Sequence, residues 1–231
     1  MVGAEAECGP ITVGEVFTVR AVCVVDQLLE VPGRVGVTAI DKRAVEGPVQ
    51  VHPLGLTGDI QASRKHHGGP TKALYAYSQH DADFWALQLG RPVTPGLFGE
   101  NLRVEGIDAS NAVIGERWSV GEQVVLEVTM PRTPCVNFAR YLGETSWVKR
   151  FAAANRVGTY LSVVTKGSIA AGDEVRLTRI PEHGITAAQV YGGLDEDQAQ
   201  RLLDADAKGA IVLTPQVRRT ALQALMVASP A

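Results

Sequence analysis

The stretch "GTYLSVVTKGSIAAGDEVRLTRI", residues 158–180, decides the fold class. Runs of β-branched and apolar residues are broken at Lys166-Gly167 and Gly172-Asp173, so it reads as three short strands joined by turns. The same texture extends back to about residue 11. "EVFTVRAV" (15–22) alternates apolar and polar positions, and "TAIDKRAVEGPVQV" (38–51) resembles two strands joined at Glu46-Gly47. "KALYAYS" (72–78) follows a Gly-Gly-Pro turn, and "EQVVLEVTMP" (122–131) stops at Pro131, which cannot donate to a ladder. Many short strands at this spacing predict a mostly β, barrel-like fold, closed or nearly so, rather than a parallel sheet.

Helices interrupt the strands twice. In "SQHDADFWALQLGRP" (78–92), Ser78 is the expected N-cap, Phe84, Leu87 and Trp85 the inner face, and Gly90 with Pro92 the stop. In "TSWVKRFAAANRVG" (145–158), Trp147, Phe151 and Ala154 share one face and Gly158 ends the run. These aromatic residues read as core anchors rather than a ligand cage.

After "IPEHG" the strand signal ceases and three short helices are expected. Asp195 with Gln198 makes a capping-box-like pair. Thr214-Pro215 opens a helix whose stripe is Val217, Ala221 and Leu225. The division read from these signals is a β-barrel-like domain over 1–182 and a three-helix domain over 183–231. Three helices invite comparison with a DNA-reading motif. From residue 185 on, however, Arg201, Lys208, Arg218 and Arg219 face Asp195, Glu196, Asp197, Asp204 and Asp206, a net −1, and phosphate neutralisation needs a positive face.

The 231 residues carry a net charge of −3 with no long run of one sign, which also argues against a nucleic-acid partner. The 3 cysteines, Cys8, Cys23 and Cys135, form no CxxC pair and no even framework, so neither a disulfide scaffold nor a zinc ribbon is expected. No basic–apolar leader opens the chain and no window approaches the ~20 apolar residues of a membrane span, so the expected location is the cytoplasm and no membrane partner is expected.

Three stiffened loops carry the candidate chemistry: "RKHHGGPTK" (64–72), "PGLFGENL" (95–102) and "PRTPC" (131–135). In the first, Arg64, Lys65 and Lys72 flank Gly68-Gly69, a pattern for an anion near backbone N–H groups or for a plain turn. His66 and His67 are sequence neighbours that a strand would point to opposite sides, so they do not suggest a two-His metal site. In the second, Glu100 and Asn101 offer polar groups to a ligand or to an Asx-type turn. In the third, Cys135 follows a proline and stands three residues after Arg132. It is either a small buried residue or a thiolate presented to a ligand beside a guanidinium.

Taken in order, "HHGGPTKALYAYSQHDADFW", "GLFGENL", "IGERWSVGEQVVLEV" and "PRTPC" resemble the MOSC domain family, named for the C-terminal domain of molybdenum-cofactor sulfurases. "GLTGDIQASRKHHGG" and "LDEDQAQRLL" are similar to its small stand-alone YiiM-like branch. The resemblance spans about residues 15–225 and implies a barrel-like fold that binds the molybdenum cofactor, a pterin dithiolene bearing a phosphate. It implies that Cys135 is the metal ligand and catalytic thiolate. It further implies cofactor-binding roles for Arg132, Asn137, Lys42, Arg64, His67, Gly68, Gly69, Glu100 and Asn101, while Cys8 and Cys23 match no family motif. The implied activity is reduction of N-hydroxylated compounds, hydroxylaminopurine bases and amidoximes among them. The chain shows no nucleotide fingerprint and no iron–sulfur cysteine set, so the electrons are expected from a separate flavoprotein reductase. Two alternatives stay open: a sulfur carrier with a Cys135 persulfide, and a non-catalytic cofactor-binding module. Oligomeric state is not legible in the sequence.

Overall fold

A computed structural model describes residues 12–32, 36–62 and 68–228. In chain order the strands are β1 (Val16–Val25), β2 (Leu29–Glu30), β3 (Val37–Thr38), β4 (Lys42–Val45), β5 (Val49–His52), β6 (Gly55–Leu56) and β7 (Leu74–Ser78), with a 3-10 turn at Pro70–Lys72. Then follow β8 (Leu102–Glu105), β9 (Arg117–Val120), β10 (Val124–Pro131), β11 (Thr159–Thr165), β12 (Gly167–Ile169) and β13 (Glu174–Arg179). Helices α1 (Gln79–Leu89), α2 (Val136–Leu142) and α3 (Trp147–Ala154) interrupt them, and α4 (Ala187–Gly192), α5 (Glu196–Ala207) and α6 (Pro215–Ala228) follow.

Seven strands run β13-β9-β10-β11-β7-β8-β1, and a β1–β13 pairing closes the ring, with β4 added outside β1. Closure leaves the ring without an open edge. Its pairings are antiparallel except β7 with β8, which are joined through α1, as a parallel pair requires a crossover rather than a hairpin. The expected barrel is present, but two expected strand neighbours part company. β4 pairs with β1, whereas β5, past Gly47 at φ 74°, joins β6 and β12 in a small second sheet. β11 and β12, split at Lys166, likewise belong to different sheets.

The barrel is filled by Val19, Leu74, Leu102, Trp118, Leu126, Leu161, Val175 and Leu177. Leu202, Ile211, Val217 and Ala221 of the tail join that same cluster. A capping box opens α5 and Thr214 Oγ1 accepts the Val217 N–H at the start of α6, as the sequence signals predict, and a further box of Thr186 with Gln189 opens α4. A second, aromatic cluster of Tyr77, Trp85, Phe98, Phe138, Trp147 and Phe151 lies beneath α2 and α3 and fixes where α2 begins. Within it Trp85 and Phe151 stack at 5.7 Å, and Phe98 meets Phe138 edge-on at 5.2 Å.

Three local expectations are corrected. Leu87 is 83 % exposed, because α1 turns Asp81, Ala82 and Trp85 inward instead. Ser78 occupies the N-cap position, but its hydroxyl accepts the Ala109 N–H at 2.7 Å rather than capping the helix. Asn155, left-handed at φ 51°, ends α3, and Gly158 instead permits the close approach of β11 to β7, where a Cβ would lie 2.5 Å from the Ala76 carbonyl. Among the described residues no helix is long and apolar enough to cross a membrane.

His183 links the tail to the barrel. Its ring bonds the Ile114 carbonyl through Nε2 at 2.9 Å and accepts the Ile185 N–H at Nδ1, which requires the neutral ring. Burial holds its pKa below the ordinary 6.5. The unfolded chain therefore binds the proton more readily, and stability is lost as pH falls from 6.5 toward the lower folded value. His183→Gln can keep both bonds without titrating. Thermal melts of the two proteins should agree near neutrality, and the wild type should fall below the variant in acid; parallel curves throughout would remove His183 from this role.

Candidate functional site

A cavity of about 290 Å³ opens where the rims of β7, β10 and β11 meet β4 and the start of α2. Lys42, Asp59, Gln61, Lys72, Tyr75, Asn101, Arg132, Cys135, Asn137 and Tyr160 are among its lining residues. The strand register explains the convergence. Tyr160 pairs with Tyr75 across β11–β7 and with Met130 across β11–β10, so the chain leaves β10 beside both tyrosines and delivers Arg132 there.

Cys135 is the N-cap residue of α2 and is half-buried. One turn later Phe138 is fully buried in the aromatic cluster, which anchors the helix and with it the thiol. Arg132 is 6 % exposed, and its guanidinium carbon lies 4.0 Å from the Phe138 ring centroid and 4.9 Å from that of Tyr75. Its buried Nη1 has no hydrogen-bond partner among the described residues. Burial acts to lower the Arg132 pKa, but Tyr75, Tyr160 and Cys135 outweigh it, and the group remains a cation. Asn137 accepts from Arg140 through Oδ1 at 3.3 Å, which leaves its amide N–H groups toward other partners.

On the opposite wall Lys42 and Asp59 form an ion pair with side chains 8 % and 6 % exposed. The Asp59 carboxylate also accepts the Val25 N–H at 3.0 Å and the Asn101 amide at 2.7 Å. Burial pulls the Lys42 pKa down and Asp59 opposes it, with the net direction downward. Asn101 is spent on structure: its Oδ1 accepts the Tyr75 N–H and its Nδ2 donates to the Cys23 carbonyl and Asp59. Gly96 lets this wall close, since a Cβ there would lie 2.4 Å from the Lys42 carbonyl oxygen.

The structure thus brings Lys42, Asn101, Arg132, Cys135 and Asn137 to one cavity, and three described candidates lie off it. Glu100 does not line it: the fully buried carboxylate accepts the Gly96 and Phe98 N–H groups at 2.9 and 3.0 Å and pairs with Arg103, which exhausts it locally. Gly68 and Gly69 lie off the cavity, though the Gly69 N–H donates at 2.8 Å to Gln61, which lines it. Arg64 and His67, like Cys8, lie outside the described residues. Asp59, Gln61, Tyr75 and Tyr160 are lining residues the sequence reading did not select. Asp59 and Gln61 stood in view in "GLTGDIQ", but the two tyrosines are placed only by strand register.

The remaining described cysteine is disqualified by its surroundings. Burial, reinforced by Glu100, pushes the Cys23 thiol up to about 12. Timed labelling with a thiol reagent and peptide mapping should modify Cys135 in the folded protein and Cys23 only after denaturation. Equal labelling of the two would contradict this assignment.

Comparison with known proteins gives these features a context. The MOSC domain family model matches residues 63–176. The uncharacterized protein YflK of Bacillus subtilis is 35% identical over 160 residues, 69% of this chain and 72% of that protein. Protein YiiM of Escherichia coli is 32% identical over 176 residues, 73% of this chain and 78% of its own. A protein named reductase from Gibberella moniliformis is 32% identical over 149 residues, 62% of this chain but 26% of the fungal protein. The crystal structure of YiiM from Geobacillus stearothermophilus superposes with a TM-score of 0.71 at 24% identity, covering 90% of this chain and 99% of that one, a likeness of fold.

Proposed function

This chain belongs to the MOSC domain family, and from that footing we propose that it binds the molybdenum cofactor and reduces N-hydroxylated compounds, hydroxylaminopurine bases and amidoximes among them. The observation that carries the reading is the buried Arg132 Nη1, without a hydrogen-bond partner among the described residues, on the same cavity as the half-buried thiol of Cys135. A buried donor left unpaired costs about 1–3 kcal/mol, so the cavity favours a ligand that brings an acceptor. Lys42, Arg132 and Asn137 together present donors, which suits the phosphate and the heterocycle edge of a pterin. Cys135 adds the soft sulfur donor that such a metal favours.

When bound, that group supplies the two-electron chemistry that breaks an N–O bond. The chain's residues do the rest. Arg132 and Lys42 hold the anionic part, the anchored start of α2 fixes the thiolate, and the Tyr75 and Tyr160 rings form a stiff wall that limits how a substrate lies. A separate flavoprotein reductase is the expected electron source. The fungal reductase, in which the matching region is 26% of a longer chain, supports a reductive role for this kind of segment.

Two variants test the reading. Cys135→Ala should abolish N-reduction yet stay folded, since loss of one half-buried thiol rarely costs more than about 1–2 kcal/mol. Arg132→Ala should weaken cofactor retention roughly 10- to 100-fold, the worth of one charge-assisted hydrogen bond, with activity following occupancy. Arg132→Lys should rescue only in part, because lysine keeps the charge and loses the planar fork. Full molybdenum content and normal turnover in Arg132→Ala would sink the assignment.

A further inference from the structure

Two walls of the cavity come from separate parts of the fold. Cys135 and Asn137 come from the start of α2, which rests on the aromatic cluster. Ile40 and Lys42 come from the segment that enters β4, the strand added outside the ring. Strand register does not relate one wall to the other: α2 lies outside the sheet, and among the described residues β4 pairs only with β1.

The loop before β8 is the spacer between them. Phe98 meets Phe138 of α2 edge-on at 5.2 Å, while Gly96 and Gly99 lie hard against the other wall. A Cβ at Gly96 would stand 2.4 Å from the Lys42 carbonyl oxygen, and one at Gly99 3.0 Å from Ile40 Cγ1. Packing of this kind limits how near the walls come, but it has no directionality to keep them from sliding apart.

A hydrogen bond supplies the direction. The Tyr141 hydroxyl, near the end of α2, donates to Asp41 Oδ1 at 2.8 Å, across 100 residues of sequence. Asp41 immediately precedes Lys42 and is itself fixed, its carbonyl accepting the Asp26 N–H at 2.9 Å. Arg43, on the other side of Lys42 in sequence, pairs with the Asp26 carboxylate at 3.0 Å. Among the described residues the Tyr141–Asp41 bond is the one hydrogen bond between α2 and the segment entering β4. Burial, and after it Asp41, push the Tyr141 pKa above its ordinary 10, so the phenol keeps the proton it donates. Neither Tyr141 nor Asp41 lines the cavity, so the bond acts on it through position.

The geometry points to Tyr141 and Asp41 as positioning residues that set the span between Cys135 and Lys42 for a ligand gripped from both walls. The assignment rests on the cofactor reading, because only a ligand that reaches both walls senses their separation.

A double-mutant cycle on cofactor retention tests it. Full-length protein loaded in a cofactor-competent host is dialysed, and loss of molybdenum is timed in wild type, Tyr141→Phe, Asp41→Ala and the double variant. Each single change should speed the loss about tenfold, the worth of one hydrogen bond, and the double variant should lose metal no faster than either. Asp41→Asn keeps the acceptor oxygen and should restore most of the retention. In the cofactor-free chain a small thiol reagent should label Cys135 at the wild-type rate in every variant, because Phe138 still seats α2. Wild-type retention in Tyr141→Phe, additive losses in the double variant, or Cys135 labelling that quickens along with the metal loss would overturn the positioning role. Wild-type protein that takes up no molybdenum would defeat the cofactor reading and this role together, whereas wild type that binds the metal yet holds it no better than Tyr141→Phe defeats this role alone.

Discussion

The burial of the Arg132 guanidinium is the constraint on which the site depends. Taking a cation out of water costs several kcal/mol unless partners replace its hydration. Here the replacement is partial: the rings of Phe138 and Tyr75 cover its faces, while Nη1 has no acceptor among the described residues. Such an arrangement persists only where the surrounding structure over-determines it. Tyr75 is held on its strand by Asn101 and at its hydroxyl by the Val157 carbonyl, and Phe138 is locked in the aromatic cluster. The incomplete solvation of Arg132 is thus built into a rigid frame and makes the cavity receptive to an anion.

The barrel explains why loops distant in sequence meet there. Closure through β1 and β13 fixes the register of every strand, and the ends of β7, β10 and β11 then deliver Tyr75, Arg132 and Tyr160 to one rim. Lys42 arrives by a different route, as the first residue of a strand added outside the ring, where it pairs with Val25. Asp59 fastens that arrival by bonding Lys42, the Val25 backbone and Asn101 together. A buried ion pair of this kind is weak evidence of net stability, but it sets position.

Much of this was legible in the sequence, unevenly. Glycine and proline punctuation marked the strands and the tail helices, because turn chemistry and capping are local. Partner choice is not local, so the separation of β4 from β5 and of β11 from β12 into different sheets left no trace in the strand signals. The Pro-Cys loop drew attention to Cys135 and Arg132 by composition, and both line the cavity. Glu100 drew attention for the same reason, yet its partner Arg103 stands three residues on and consumes it. Tyr75 and Tyr160 read as ordinary strand residues, since only register shows that they face the thiol's cavity.

The most direct test is the metal and pterin content of the full-length protein purified from a host able to make the molybdenum cofactor. The account predicts molybdenum and a phosphorylated pterin together, near one per chain, with both falling when Cys135 and Arg132 are replaced. Protein that carries neither, and instead bears a labile sulfane sulfur on Cys135, would contradict it.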